Sequence, residues 1–214
     1  MIKYILFDLD NTLYSSHYGL ERQTALRIKQ YIAKYLGTGV EEAAAERKKR
    51  IADYGTTIEW LIAEKGFTDI EDYYSVIHPE NEADTLPANP ALKEFLENLP
   101  CKRAIMTNAP IEHARRILSR LGVEACFTEI FDMRHMNFKG KPRKDAFFMV
   151  LSVLKAAPEQ VLFVDDMPGY VEGYLAIGGK GVLFDEDNMH PGYTHEKIRN
   201  LKEITGFLDM NSEG

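Results

Sequence analysis

The chain has 214 residues, of which 45% are hydrophobic and 28% charged, and its formal net charge is −7. This length allows one large domain or a core domain with a smaller insert, and the composition is that of a globular protein able to bury a full core. The negative charge argues against binding to the backbone of a nucleic-acid polymer, but it permits one small phosphorylated metabolite at a local positive site.

Cysteine usage and the lack of targeting signals favour a cytoplasmic protein. Cys101 and Cys126 are too few for a disulfide framework and are typical of a reducing compartment. No signal peptide, lipidation signal or membrane-spanning apolar run is recognisable. We therefore expect no association with membranes, and the sequence leaves the oligomeric state open.

The first element is an apolar strand, residues 2–7, that leads directly into Asp8-Leu9-Asp10. The strand is almost uncharged and rich in β-branched and aromatic residues, which is typical of burial on both faces. Strand alternation would turn Asp8 and Asp10 to the same side, where two carboxylates suit a hard cation such as Mg²⁺. The simpler alternative is a solvated turn, because Asp is common where strands end.

Residues 15–85 contain helical patterns and no convincing strand. Helices are predicted up to Gly37, over residues 40–53, after a cap at Thr56 or Thr57, and over residues 69–78. We interpret residues 15–85 as a helical insert and residues 1–14 and 86–214 as the core domain. The basic run Arg47-Lys48-Lys49-Arg50 is either an anion site or, more commonly, a solvated helix face.

Beyond residue 86, strands and helices alternate. Strands are predicted at residues 103–106, 127–133, 161–164 and 181–184 and near Ile198, and helices at residues 92–99, 111–121, 145–156, 170–177 and 202–208. The alternation predicts an α/β fold in which a parallel sheet is covered by helices on both faces.

Polar residues follow three of these strands. They are Asp8 and Asp10, then Thr107 and Asn108, and then Asp165 and Asp166. In a doubly wound sheet neighbouring strand ends meet at one edge, so these side chains should converge with Lys141, from a loop between the last two. This combination of groups is suited to phosphoryl transfer: carboxylates that can bind Mg²⁺, a hydroxyl before a helix N-terminus, and a lysine.

Each of these residues also has a simpler interpretation. Thr107 and Asn108 could merely cap the helix that follows them. Lys141 is one of several basic residues in its stretch, and we choose it because the next residue, Pro142, favours the first turn of a helix. Asp165 and Asp166 could form a turn, although two adjacent acids after four apolar residues favour a metal site.

Four motifs within residues 7–184 resemble those of the haloacid dehalogenase superfamily of phosphatases. In chain order they are Asp-x-Asp-x-Thr, Thr-Asn after a strand, Lys-Pro, and Asp-Asp after a strand. That family has a Rossmann-like parallel-sheet core, and an α-helical cap domain inserted after its first motif matches residues 15–85. Shorter similarities, in residues 8–14, 54–57 and 106–109, resemble its pyrimidine 5′-nucleotidase branch. This resemblance implies a nucleoside 5′-monophosphate as substrate.

The resemblance also implies roles in catalysis. Asp8 would be the nucleophile that forms an aspartyl-phosphate. Asp10 would protonate the leaving group, then deprotonate water, and ligate Mg²⁺ through its main-chain carbonyl. Lys141 would screen Asp8 from the charge of the phosphate.

The remaining motif residues would bind phosphate or metal. Thr107 and the main chain at Leu9 and Asn108 would hold the transferring phosphate. Asp165 would ligate Mg²⁺ together with Asp8, and Asp166 would do so directly or through water. Many relatives have Asn where this chain has Tyr170, so the support of the metal loop should differ here.

The candidate substrate contacts are Tyr14, Tyr54, Thr56 and Thr57. Tyr14, Tyr54 and the single tryptophan, Trp60, could stack on a nucleobase, although such aromatic residues are more often core, and Thr56 and Thr57 lie close to Tyr54 in sequence. The histidines share no ligand spacing, and we interpret them as surface or core residues: His17, His78, His113 and His135.

The favoured function is thus a Mg²⁺-dependent phosphomonoesterase acting on a nucleoside monophosphate. A phosphatase or phosphomutase for a sugar phosphate or phosphoglycolate is the first alternative. A haloacid dehalogenase is disfavoured because it needs no acid at Asp10 and no metal site. A non-enzymatic alternative is a phospho-accepting receiver module, but such modules place adjacent acids on the first strand and lack a helical insert.

Overall fold

One parallel sheet of six strands forms the centre of the molecule, seen in a computed structural model that describes residues 1–208. In the sheet the strands have the order β3-β2-β1-β4-β5-β6. Their bounds are β1 Tyr4–Phe7, β2 Lys102–Met106, β3 Glu129–Phe131, β4 Val161–Asp165, β5 Lys180–Phe184 and β6 Lys197–Ile198. The predicted α/β class with a Rossmann-like parallel sheet is therefore confirmed.

The strand order reverses at β1, which pairs with β2 on one side and β4 on the other. Phe7, the last residue of β1, lies opposite Ile105 of β2 and Val164 of β4. The residues that follow these three strands therefore emerge side by side. A reversal of this kind opens a crevice at the carboxyl ends of the strands, where α/β sheets bind ligands.

Nine α-helices connect or follow the strands in residues 1–208. They are α1 Leu20–Leu36, α2 Val40–Tyr54, α3 Thr57–Lys65, α4 Ile70–Ile77, α5 Pro90–Glu97, α6 Ile111–Leu121, α7 Lys144–Leu154, α8 Pro168–Leu175 and α9 Thr205–Leu208. Two of these helices begin or end at the residue that the sequence predicts. Gly37, at φ 68°, ends α1, and the Thr56 hydroxyl caps α3 by accepting the Glu59 amide at 3.3 Å.

The four helices α1–α4 lie between β1 and α5, and residues 15–85, all of them described, contain no strand. Their buried side chains do not form a separate core. Ile32 and Trp60 of the insert join the hydrophobic cluster that also contains Leu6 of β1 and Phe163 of β4. The division at residues 14 and 85 stays a prediction.

The sheet is buried on both faces, as its apolar strands predict. Ile5 and Phe7 of β1 pack into the cluster on the α5 and α6 side, whereas Leu6 packs into the cluster on the α7 and α8 side. Within residues 1–208, no helix combines the length and the hydropathy that crossing a bilayer requires.

The structure differs from the sequence predictions mainly at the ends of elements. Strand β1 ends at Phe7, and Leu13 donates its amide to the Leu9 carbonyl at 3.0 Å, so Asp10 lies in a turn and not in the strand. The predicted last helix divides into a 3₁₀ turn, Leu201–Ile204, and α9. Residues 209–214, assigned to the core domain from the sequence, lie outside the described residues.

Candidate active site

The carboxylates of Asp8 and Asp165 meet at the carboxyl ends of the adjacent strands β1 and β4. Lys141 lies between them, with its Nζ atom 2.6 Å from Asp8 Oδ1 and 2.6 Å from Asp165 Oδ2. All three side chains are buried, and Asp8 also accepts a hydrogen bond from the Thr12 hydroxyl at 3.2 Å. The fold thus brings together three residues that are far apart in the sequence.

Asn108 fixes the loop that carries Lys141. Its side-chain nitrogen donates to the Lys141 carbonyl at 2.9 Å, and its side-chain oxygen accepts the Lys141 amide at 2.9 Å. The same nitrogen lies 3.3 Å from the Tyr170 hydroxyl, and Lys141 Nζ lies 5.1 Å from the centre of the Tyr170 ring. The side chain of Asn108 therefore positions the lysine, and Tyr170 supports both residues.

The argument that selects Lys141 from the sequence is wrong, although the structure places this lysine in the site. The sequence predicts Pro142 in the first turn of a helix, whereas α7 begins at Lys144 after the cap residue Arg143. Lys141 differs from its basic neighbours by burial, because Lys139 and Lys144 are both exposed.

The acidic cluster of Asp8, Asp165 and Asp166 has the composition of a cation site. One carboxylate oxygen of each residue lies within 4.8 Å of the other two. Burial raises the pKa of Asp8 to about 7, and burial and the charges of Asp8 and Asp165 raise the pKa of Asp166 to about 9. One ammonium group faces three carboxylates, so a divalent cation would compensate the remaining charge, and these oxygen donors fit Mg²⁺.

Asp10 lines the same cavity as Asp8. Its Oδ1 atom accepts hydrogen bonds from the Tyr14 hydroxyl and from Nε2 of His113, the latter at 2.8 Å. Although burial alone raises the pKa of Asp10, the contacts with His113 and Tyr14 lower it below its usual value. These contacts favour the ionised form of Asp10 in the free protein, which is the form that accepts a proton from water.

Thr107 directly follows β2, and its side chain lines the cavity. Its oxygen accepts the Ala109 amide at 3.0 Å, which leaves the hydroxyl proton to donate to a ligand. The helix N-terminus expected to attract phosphate is that of α6, but its first amide, Ile111, donates to Asp132 at 3.0 Å. The protein itself therefore satisfies part of that N-terminus, and the Thr107 hydroxyl is the stronger candidate for a phosphate contact.

The cavity above Asp8 has a volume of about 230 Å³, and residues of the insert line its other side. Thr56 and Thr57 line it, whereas the aromatic residues suggested for base stacking, Tyr14, Tyr54 and the fully buried Trp60, do not. The Tyr14 hydroxyl donates to Asp10, and the Tyr54 hydroxyl donates to Glu64 at 3.1 Å. Tyr14 and Tyr54 thus have protein partners in place of the predicted substrate. For Leu9 the side chain is buried in the core, so only its main chain is available to a phosphate.

Arg47 is the basic residue that the insert contributes to the cavity. Its Nε atom donates to the Thr57 hydroxyl at 2.8 Å. The next two residues, Lys48 and Lys49, are exposed. Both interpretations of the basic run therefore apply to different residues. Arg47 is a candidate anion contact, and Lys48 and Lys49 belong to a solvated helix face.

His113 and Glu82 are parts of the site that the sequence predictions missed. The two ring nitrogens of His113 each lie 2.8 Å from a carboxylate oxygen, Nε2 from Asp10 and Nδ1 from Glu82. Although burial lowers the pKa of His113, these carboxylates raise it to about 10, so the ring is protonated at neutral pH. The sequence contains one signal for this role. His113 lies four residues before Ile117, on the apolar face of α6, so its ring is expected to be buried, and a buried histidine needs polar partners.

Comparison with known proteins places this geometry in a family. The model of the haloacid dehalogenase-like hydrolases matches residues 2–172, which include all the motif residues described above. The phosphoglycolate phosphatase of Mannheimia succiniciproducens is 26% identical over 94% of this chain and 97% of that protein. Hexitol phosphatase A of Escherichia coli is 28% identical over 82% of this chain and 80% of that protein.

A solved structure shows the same fold along the whole chain. The HAD phosphatase from Thermococcus onnurineus superposes with a TM-score of 0.65 at 19% identity, and the match covers 98% of both chains. The sheet order, the acids at the ends of β1 and β4 and the family match agree with one another. The chain belongs to the haloacid dehalogenase-like hydrolase family.

Proposed function

We propose that this protein is a Mg²⁺-dependent phosphomonoesterase that hydrolyses a small phosphate ester through an aspartyl-phosphate on Asp8. The observation that carries the proposal is that Lys141 joins Asp8 to Asp165, and that Asp8 and Lys141 line one cavity together with Asp10. Family membership supports hydrolysis, and the two relatives named above are phosphatases.

The acidic cluster would hold the metal. Asp8 and Asp165 would ligate it, together with Asp166 and the main-chain carbonyl of Asp10. When bound, Mg²⁺ neutralises charge on the phosphoryl group. Lys141 holds Asp8 in place through its ion pair and adds a further positive charge below the phosphate.

The chain's own groups can perform both half-reactions. In the first, which starts from the protonated form of Asp10, an oxygen of Asp8 bonds to phosphorus while the bond from phosphorus to the leaving oxygen breaks, and Asp10 gives that oxygen its proton. The negative charge of a bound phosphate beside Asp10 favours this protonated form. In the second, water bonds to phosphorus and gives a proton to Asp10 while the bond from phosphorus to Asp8 breaks. The Thr107 hydroxyl and the main-chain amides of Leu9 and Asn108 would donate to the phosphoryl oxygens.

Other chemistries on this fold are less well supported. A haloacid dehalogenase needs neither an acid at Asp10 nor a cation site around Asp165, whereas this chain has Asp10 and an acidic cluster with the composition of a cation site. A phosphomutase would use the same core residues, so product analysis is needed to separate it from a hydrolase.

The substrate is better described as a small sugar phosphate or phosphoglycolate than as the nucleotide implied by the nucleotidase resemblance. The two relatives are named for phosphoglycolate and hexitol phosphates. The cavity of about 230 Å³ lies below the roughly 300–1,000 Å³ of pockets for drug-sized ligands. Tyr14 and Tyr54, the residues suggested for base stacking, are engaged by other side chains. The pyrimidine 5′-nucleotidase branch stays a prediction.

Arg47 supports an ester that carries a second anionic group. Its side chain lines the cavity, and no acidic partner within 4.0 Å is found for it among residues 1–208. A carboxylate at the far end of the substrate, as in phosphoglycolate, would pair with the guanidinium. This observation favours phosphoglycolate over an uncharged sugar phosphate.

Hydrolysis of p-nitrophenyl phosphate with and without Mg²⁺ tests the proposal. We expect phosphate release by the wild type only with the metal, and a loss of about 10³-fold or more in Asp8→Asn, which removes the nucleophile. The exposed Asp145 supplies the control, since Asp145→Asn should retain activity. Circular dichroism should show that Asp8→Asn is folded.

The outcomes separate the alternatives. Substantial activity in folded Asp8→Asn would remove Asp8 as nucleophile, and stable phosphorylation without phosphate release would favour a receiver module. A panel of phosphoglycolate, sorbitol 6-phosphate, UMP and CMP then ranks the substrates. The highest kcat/KM for UMP or CMP would restore the nucleotidase assignment.

A further inference from the structure

One carboxylate oxygen of Asp10 is held by two donors, and the other is left open. His113 Nε2, at 2.8 Å, and the Tyr14 hydroxyl both reach Oδ1. The Asp10 side chain is 28% exposed, and no partner is found for Oδ2 within residues 1–208. The contacts therefore distinguish the two oxygens, and only Oδ2 is available to a reacting group.

His113 is held in turn by Glu82. The Nδ1 atom of His113 lies 2.8 Å from Glu82 Oε1, which also accepts from Arg116 Nη2 at 2.8 Å. His113 and Arg116 are three residues apart on α6 and so point to the same side of the helix. Glu82 lies in the segment between α4 and α5, where the chain returns from the insert to the core.

We propose that His113 is a positioning residue for Asp10: it holds Oδ1 so that Oδ2 faces the reacting oxygen in both half-reactions, and Glu82 anchors His113. The inference builds on the proposed function, because it assumes the acid–base role of Asp10. Both proton transfers need the same short distance from the carboxylate to the leaving oxygen or to water. A carboxylate free to turn about its χ2 angle would lose that alignment.

The same cluster contains the donor set of a cation site, since oxygen and nitrogen atoms of His78, Glu82 and His113 lie within 4.8 Å of one another. The surroundings favour a hydrogen-bond network over a metal. The Arg116 guanidinium already supplies positive charge to Glu82, and the other ring nitrogen of His113 is engaged by Asp10. Repulsion by Arg116 opposes a second cation at the same carboxylate.

His113→Gln should separate kcat from kcat/KM for p-nitrophenyl phosphate. The p-nitrophenolate group leaves without a proton, so the aspartyl-phosphate forms without help from Asp10. Hydrolysis of that intermediate requires Asp10 to take a proton from water. We expect kcat to fall at least tenfold and KM to fall in parallel, with kcat/KM within threefold of wild type. The phosphorylated protein should accumulate, detected as a mass increase.

A second aryl ester tests the first half-reaction. Phenyl phosphate has nearly the same shape, but phenolate is a poorer leaving group and needs the proton. For this ester kcat/KM itself should fall at least fivefold in His113→Gln. A variant that merely distorts the site would lower kcat/KM for both esters by the same factor. Asp10→Asn serves as the reference. It should show a larger fall in kcat for p-nitrophenyl phosphate and a larger fall in kcat/KM for phenyl phosphate; these two effects are the two signatures.

His135→Gln is the matched control, because His135 also bonds an aspartate, Asp132, at 2.7 Å but outside the cavity. His135→Gln should leave kcat and kcat/KM unchanged for both esters. If His113→Gln does not fold, Glu82→Gln, which keeps the side-chain shape, should show the same separation of kcat from kcat/KM. Equal losses for both esters, or wild-type kcat in the folded variant, would overturn the role of His113. If Asp10→Asn itself lacks the two signatures, the proposed function fails.

Discussion

Arg47 and Lys48 are neighbours in α2, but only Arg47 lines the cavity. Charge composition alone cannot separate them, because both belong to one basic run in the sequence. A helix turns by about 100° per residue, so adjacent side chains point in different directions. Selectivity for an anionic substrate should therefore depend on Arg47 and not on Lys48.

Arg47→Met should lower kcat/KM for phosphoglycolate by about tenfold to a hundredfold, because a hydrogen bond to a charged group contributes roughly 1.5–3 kcal/mol. For 2-hydroxyethyl phosphate, which has a hydroxyl in place of the carboxylate, the change should be less than threefold. Lys48→Met is the control and should affect neither ester. Equal losses for both esters in Arg47→Met would contradict a carboxylate contact.

At the residue scale, the sequence predicts which residue types line the site but not how they are connected. Asp8 and Asp165 are identifiable because they follow apolar runs that are visible in the sequence, whereas the reason for choosing Lys141 among its basic neighbours is wrong. The link from Asp10 to His113 is not identifiable, since it depends on how α6 packs beside β1. Tyr14 was assigned to the substrate, whereas its hydroxyl donates to Asp10 four residues earlier.

At the element scale, helix α8 packs closely against the loop that carries Lys141. A Cβ atom added at Gly173 would lie 2.7 Å from the Pro142 carbonyl oxygen and 2.9 Å from Pro142 Cβ. The sequence alone shows Gly173 only as a poor helix former. The structure indicates that the missing side chain is what allows α8 and the lysine loop to approach each other.

Gly173→Ala should therefore cost about 1–3 kcal/mol of unfolding free energy, as overpacked sites do, and should lower phosphatase activity by moving Lys141. Gly169→Ala, in the same helix with open space around the added Cβ, is the matched control. It should leave activity unchanged and stability equal or slightly higher. Urea denaturation and the p-nitrophenyl phosphate assay measure both effects, and equal behaviour of the two variants would refute the close packing.

The helices are largely predictable from their apolar periodicity, and the central strands from their short apolar runs. The packing of the insert is not predictable. Its side chains Ile32 and Trp60 share a cluster with residues of the sheet, and no local pattern specifies such long-range contacts. The sequence also does not predict the turn after β1. Asp8 and Asp10 fit the alternation of a strand, whereas in the structure the strand ends at Phe7 and Asp10 lies in a turn.

At the scale of the whole molecule, the proposed cation site joins distant parts of the chain. Asp8 follows the first strand and Asp165 ends the fourth, and their carboxylates meet only in the folded protein. An ion that binds this cluster and not the unfolded chain must raise the free energy of unfolding. Stability is therefore a measure of metal binding that does not depend on turnover.

At a Mg²⁺ concentration 100-fold above Kd, the wild type should gain about 2.7 kcal/mol, which corresponds to a rise in Tm of about 5–10 °C for a chain of this size. Asp165→Asn should lose most of that rise, because it removes one buried ligand. Asp185→Asn is the control: Asp185 is also buried after a strand, but it bonds Lys197 at 3.2 Å and lies outside the cavity. That variant should melt earlier and keep the full Mg²⁺ shift. An undiminished shift in Asp165→Asn would place the bound ion elsewhere and remove the structural basis of the metal-dependent reaction.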